Sequence, residues 1–119
     1  MGDLSTNFSR HEFACKCGCG ADSVDYMTLL ILEDIRDHFR RPVIIHSAHR
    51  CADYNQEVGG ADHSQHPLAR AVDFSVDSVH ASEVQAYLKL RYPGMYGIGS
   101  YSSFTHIDTR TKGPARWDG

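Results

Sequence analysis

Ser64-Gln65-His66-Pro67-Leu68-Ala69-Arg70-Ala71-Val72-Asp73-Phe74 sets a histidine and a carboxylate seven residues apart, across a turn and against the start of an apolar run. Ala71 to Val76 alternates like a strand with one buried face, so Val72, Phe74 and Val76 point one way and Asp73 the other. Pro67 biases His66 towards an extended conformation. An imidazole on the entering loop and a carboxylate on the open strand face can converge on one cation. Nitrogen and oxygen donors suit Zn²⁺, whose catalytic sites usually combine three protein ligands with water.

A third ligand comes from the end of the chain. Tyr96 to Tyr101 reads as a glycine-weakened strand, Ser102 and Ser103 as a turn, and Phe104 to Asp108 as the returning strand. Period two puts Phe104, His106 and Asp108 on one face. His106 is therefore the expected third ligand, beside His66 and Asp73.

The remaining elements frame this pair of strands. Ser23 offers a cap to a helix running from Val24 to Phe39, with Val24, Met27, Ile31, Ile35 and Phe39 at helical spacing and Leu29, Leu30 and Leu32 widening the apolar face. Pro42 lies beyond its end. Val43 to Ile45 form a short β-branched strand that stops at the polar run His46-Ser47-Ala48-His49-Arg50. Asp53 to Val58 reads as a short helix closed by Gly59-Gly60, and His80 to Arg91 as another closed by Pro93-Gly94. Asn7 to Gly20 reads as irregular, anchored by Phe8, Phe13 and Ala14, and Arg110 to Gly119 as a basic, turn-rich tail whose Trp117 folds back on the core.

At 119 residues with 41% hydrophobic composition, one domain spanning 1–119 is expected. The fold class is α+β, a small antiparallel sheet carrying the metal site and packed with helices. A net charge of −3 and a pI near 6.2 give no electrostatic drive towards nucleic acid. No apolar run is long enough to insert in a membrane, and the first residues lack signal-peptide character, so synthesis in the cytoplasm is expected. Cys15, Cys17 and Cys19 are too tightly spaced for a usual zinc ribbon. With Cys51 they leave open reduced thiols, a thiolate metal site, or one long-range disulfide.

These residues together are specific. The chain resembles zinc D-alanyl-D-alanine carboxypeptidases and phage L-alanyl-D-glutamate endolysins, whose fold hedgehog signalling domains share. The family pattern S-x-H-x-x-G-x-A-x-D is matched by Ser64, His66, Ala71 and Asp73, and its late F-x-H-x-D by Phe104, His106 and Asp108. Its S-G-Y-R element resembles Ser47-Ala48-His49-Arg50, its G-G matches Gly59-Gly60, and an early E-F-x-C-x-C-x-C-G matches Glu12 to Gly20. Three departures stand out: Ala69 replaces the motif glycine, His49 a common tyrosine, and Ser103 the acidic residue expected three positions before the last ligand.

The resemblance implies a monomeric zinc peptidase acting on the peptidoglycan stem peptide, as a carboxypeptidase or an endopeptidase. Without a signal peptide, such an enzyme would reach the wall after release or as part of a virion, in a phage or prophage lytic role. Arg50 is expected to hold a substrate carboxylate or the developing oxyanion. Asp108 is either the general base or the acceptor that sets a ligand histidine's tautomer, with His49, His46 and His63 as reserve bases. Two other classes remain open: a module of this fold that keeps zinc without chemistry, and an interaction domain built on a thiolate-metal cluster.

Overall fold

Alternating apolar residues at Val72, Phe74 and Val76 form the spine of the molecule. In a computed structural model, which describes residues 2–60, 64–111 and 113–119, all three are at most 4% exposed. Burying side chains of this size contributes about 1.5–3 kcal/mol each. They lie on β2 (Ala71–Val76), which pairs antiparallel with β1 (Val43–Ser47) and with β4 (Thr105–Asp108). β3 (Gly97–Ser100) pairs antiparallel with β4, and the spatial order is β1-β2-β4-β3-β5. The α+β class expected from the sequence is what the chain adopts.

The edge strand β5 (Ala115–Asp118) runs parallel to β3. The tail expected to be turn-rich is therefore partly strand, and Trp117 reaches the sheet as a paired residue rather than as a folded-back end. The glycines of β3 are explained by this crowding. A Cβ at Gly97 would collide with the Asp108 carboxylate, and one at Gly99 with the Trp117 indole, whose nearest atoms lie 2.7 Å away.

Helices α1 (Tyr26–Phe39) and α3 (Ala81–Arg91) pack against the sheet, and α2 (Ala52–Glu57) lies beside the turn that carries His66. Leu29, Leu32 and Ile35 from α1, Val84 and Leu88 from α3, and Ile98 and Ile107 from the sheet form one cluster with the β2 residues. Met27 and Leu30 are exposed, so the apolar face of α1 is narrower than its composition suggested. The helix also begins two residues later than Val24, with Asp25 at its cap position. The Asp25 carboxylate is otherwise engaged: it accepts from Thr109 Oγ1 at 3.0 Å, and Thr109 in turn meets Thr28 at 2.9 Å. This network clamps the start of α1 to the end of β4, just under the metal motif.

Two local expectations change. His66 is not extended before Pro67 but opens a single 3₁₀ turn, His66–Leu68, in which proline occupies an early helical position. The leading segment contains a second such turn, Arg10–Phe13, and Phe8 and Phe13 are at most 1% exposed, so this stretch is anchored as its aromatics suggested. Among the described residues, no helix is long and apolar enough to cross a membrane.

Candidate metal centre

Sheet register builds the site. Asp73 on β2 stands directly opposite His106 on β4, His106 opposite Gly99 on β3, and Gly99 opposite Trp117 on β5. Side chains opposed in this way have Cβ atoms about 4.5–5.5 Å apart, which is close enough for Asp73 and His106 to meet. Their contact, Nδ1 to Oδ1, is 2.8 Å. His66 comes from the preceding turn, with Nε2 3.4 Å from Asp73 Oδ2. One ligand atom from each of His66, Asp73 and His106 lies within 4.8 Å of the others.

The turn that delivers His66 closes on Ala69, whose φ of 59° and ψ of 26° are left-handed. An alanine there is strained, as its replacement of a motif glycine implied. The strain is held by hydrogen bonds on both sides: Ala69 N–H donates to His66 O at 3.0 Å, and its carbonyl accepts from Asp25 N at 2.8 Å.

The donor chemistry can be read atom by atom. His66 Nδ1 is 2.7 Å from the carbonyl of Ala48, which can only accept, so this nitrogen carries the proton and Nε2 offers a lone pair. His106 Nε2 is 2.8 Å from Asp108 Oδ2, and donating there leaves Nδ1 as its free donor atom. Two imidazole lone pairs and a carboxylate thus face one point with little water around them, since His66 and His106 are only 3% and 8% exposed. When the rings are protonated instead, hydrogen bonds from His106 and His66 outweigh the burial that opposes ionisation of Asp73 and hold its carboxyl well below the usual range. Burial likewise works against a charged His106, and its contacts with Asp108 and Asp73 override this and raise its pKa. This donor set fits a cation such as zinc.

Arg50 and Asp108 flank the cluster. The Arg50 guanidinium is held on three sides: Nε by Ser47 Oγ at 3.1 Å, Nη1 by Asn55 Oδ1 at 3.1 Å, and Nη2 by Asp73 Oδ2 at 3.4 Å. Its side chain is 16% exposed, so this is not a loose surface ion pair. Asp108 is fully buried and bound by Arg110 through two parallel contacts, Nε to Oδ1 and Nη2 to Oδ2, both 2.7 Å. Burial alone would raise its pKa. The Arg110 guanidinium and then His106 more than reverse that, leaving it well below the ordinary carboxylate range.

A cleft of about 780 Å³ opens over these groups, lined by Arg50, His66, Asp73 and His106 and walled by Tyr101 and Trp117. Trp117 Nε1 donates to Tyr101 O–H at 3.0 Å, and the Tyr101 ring stacks on Phe104 at 4.3 Å. His49 and His46 are not brought here. His49 Nδ1 accepts from Ser23 N–H at 3.0 Å, while exposed His46 meets Ser75 Oγ at 2.8 Å through Nε2. His63 lies outside the described residues. Arg110, Trp117 and Tyr101 were not expected at the site from the sequence, where Trp117 was read only as a core contact of the tail. Arg110 was within reach, because it continues the period-two face of His106 and Asp108 by one more step.

The family model described as Peptidase M15 matches residues 6–108. Among curated relatives, peptidoglycan L,D-endopeptidase MepK of Escherichia coli K12 is 37% identical over 83 residues, 65% of this chain and 43% of that protein. The Shigella flexneri protein of the same name matches with the same figures. The alignment thus spans under half the length of these relatives.

Proposed function

The chain belongs to the peptidase M15 family, and we propose that it is a zinc-dependent peptidase that hydrolyses an amide bond in the stem peptide of peptidoglycan. The observation that carries this reading is the convergence of His66 Nε2, Asp73 and His106 Nδ1 beneath an open cleft edged by a fixed guanidinium. The name of the similar Escherichia coli protein supports peptidoglycan as substrate and favours internal cleavage over carboxypeptidase trimming.

His66, Asp73 and His106 are the residues that would hold the zinc. When bound, such an ion lowers the pKa of water and polarises the carbonyl to be attacked. The chain's own groups divide the other tasks. Asp108 accepts a hydrogen bond from His106 Nε2–H and so keeps Nδ1 free and aimed at the centre. Arg110 neutralises Asp108 and keeps it from competing as a ligand. Arg50, fixed by Ser47 and Asn55, presents a charge at the cleft that can pair with a substrate carboxylate or with the oxyanion as it forms. Tyr101 and Trp117 give the peptide an apolar wall.

Asp108 is the weaker candidate for the base. A general base works best with a pKa near the operating pH, and this carboxylate is buried, doubly bound to Arg110 and strongly acidified. We assign it to holding His106.

The test is digestion of purified peptidoglycan by the protein, with products identified by mass spectrometry, with and without chelator and after zinc is restored. Chelator-sensitive release of stem-peptide fragments is expected, and its loss in His66→Ala and His106→Ala together with the zinc that these two residues and Asp73 would hold. Zinc retention without any product would instead support a binding module of the same fold.

A further inference from the structure

We propose that Cys15, Cys17, Cys19 and Cys51 form a second, structural zinc site, made of four thiolates and separate from the His66, Asp73 and His106 centre. The four cysteines come from two distant parts of the chain, yet their Sγ atoms all lie within 4.8 Å of one another. Cys15 and Cys17 are 3.4 Å apart, Cys17 and Cys51 3.6 Å, and Cys15 and Cys51 3.9 Å. Four sulfurs at the usual Zn–S length of about 2.3 Å occupy the corners of a tetrahedron with edges of about 3.8 Å. The observed spacings bracket that edge. A disulfide needs about 2.05 Å and a single partner, whereas here each of three sulfurs has two near neighbours.

The backbone is shaped for this. In an extended strand, alternate residues are about 6.6–7 Å apart, too far for three of them to share one ion. Here Gly18 and Gly20 take φ of +82° and +91°, Gly18 N–H donates to Cys15 O at 3.2 Å, and Cys15 N–H donates to Ala21 O at 2.6 Å. The loop folds on itself, and the C-x-C-x-C spacing that looked too tight for a zinc ribbon becomes a three-ligand cup. Cys51 closes it from the start of α2. Backbone N–H groups point at the sulfurs, from Cys51 to Cys15 Sγ and from Tyr54 to Cys51 Sγ, both at 3.4 Å, the kind of outer contact that steadies thiolate ligands.

The site also has work to do. Residues 16–20 are exposed and bring no apolar side chain to the core, so little else fixes this loop. Metal binding supplies folding energy where a core cannot. Cys51 directly follows Arg50, so tying it to the loop fixes the backbone from which Arg50 reaches Asp73.

The experiment uses the whole protein prepared under reducing conditions and loaded with Zn²⁺ or, in parallel, with Co²⁺. In a His66→Ala/His106→Ala variant, one zinc per chain is expected to remain by elemental analysis. Its four thiols should resist a thiol reagent in the native state and should release that zinc as they are titrated with an organomercurial. The cobalt form of the wild type should show a thiolate-to-cobalt charge-transfer band, which imidazole and carboxylate ligands do not give, and Cys19→Ser should weaken it. This readout stands even where the double variant fails to fold, and it is independent of peptidase activity. Four freely reactive thiols in the native wild type with no charge-transfer band would overturn the proposal. Fewer than four thiols in denatured protein purified in parallel without reductant would overturn it in favour of a disulfide.

Discussion

Replacing Asp108 by alanine separates two roles for the carboxylate that meets His106 Nε2. Asp108 accepts from His106 Nε2 at 2.8 Å, from Arg110 Nε and Nη2 at 2.7 Å each, and from Arg110 N at 3.2 Å, and none of it is exposed. In Asp108→Ala the Arg110 side chain, already 28% exposed, can turn to water. The buried ring N–H of His106 cannot, and an unsatisfied buried donor costs about 1–3 kcal/mol of stability. Without its acceptor His106 no longer favours the tautomer that frees Nδ1, and loss of such an outer partner lowers metal affinity by roughly 10–100-fold. That corresponds to about 1.4–2.7 kcal/mol. The assay is turnover of a defined stem peptide against buffered free zinc. The Asp108→Ala curve is expected to shift to higher zinc by that factor and to recover much of the wild-type rate at saturation. Asp108→Asn, which still offers His106 an oxygen, should shift less. An unshifted zinc curve with turnover that no zinc restores would refute the positioning role and make Asp108 the base. Wild-type behaviour in both measurements would exclude either role.

Arg50→Ala should keep the fold and the zinc but lower kcat by on the order of 10²-fold or more, as expected when a charge aimed at the reacting carbonyl is lost. A wild-type rate would reduce Arg50 to a bracket for Asp73. Ala69→Gly should stabilise the protein by about 0.5–1 kcal/mol in chemical denaturation, because relief of a left-handed alanine exceeds the added freedom of the unfolded chain. A loss of stability would mean that Ala69 is not strained. Glu33 accepts from Ser5 Oγ at 2.5 Å, Asn7 N at 2.8 Å and Asn7 Nδ2 at 2.6 Å; partial burial opposes ionisation, yet these bonds lower its pKa. A depressed folded-state pKa adds stability that is present above the ordinary glutamate value of about 4.3 and is lost as pH falls through the folded value. The Tm advantage of wild type over Glu33→Gln should therefore be clear at neutral pH and shrink on acidification, and a pH-independent gap would refute the linkage.

Local pattern and motif spacing carried much of this molecule. The alternation from Ala71 to Val76 determines which β2 residues are buried and leaves Asp73 on the other face, and the same rule puts His106 and Asp108 together on β4. The helical periods of α1 and α3 and the glycine after α2 were legible for the same reason, since each is encoded within a few turns of backbone. What only the tertiary structure decided depends on partners distant in sequence. β5 is four residues with half-buried Ala115 and Trp117 alternating with exposed neighbours, too short and polar to announce itself, and it exists because β3 offers it a parallel edge. His49 sits in a motif beside Arg50, yet Ser23 captures its ring. Arg110 gains its place only when Gly97 leaves room beside Asp108. Cysteine spacing alone left three chemistries open, and the convergence of Cys51 with a glycine-folded loop gave the thiols their common centre. A strand or helix period states which way a side chain points; what it meets there is determined by packing across the chain, where burial and hydrogen-bond satisfaction select the partner.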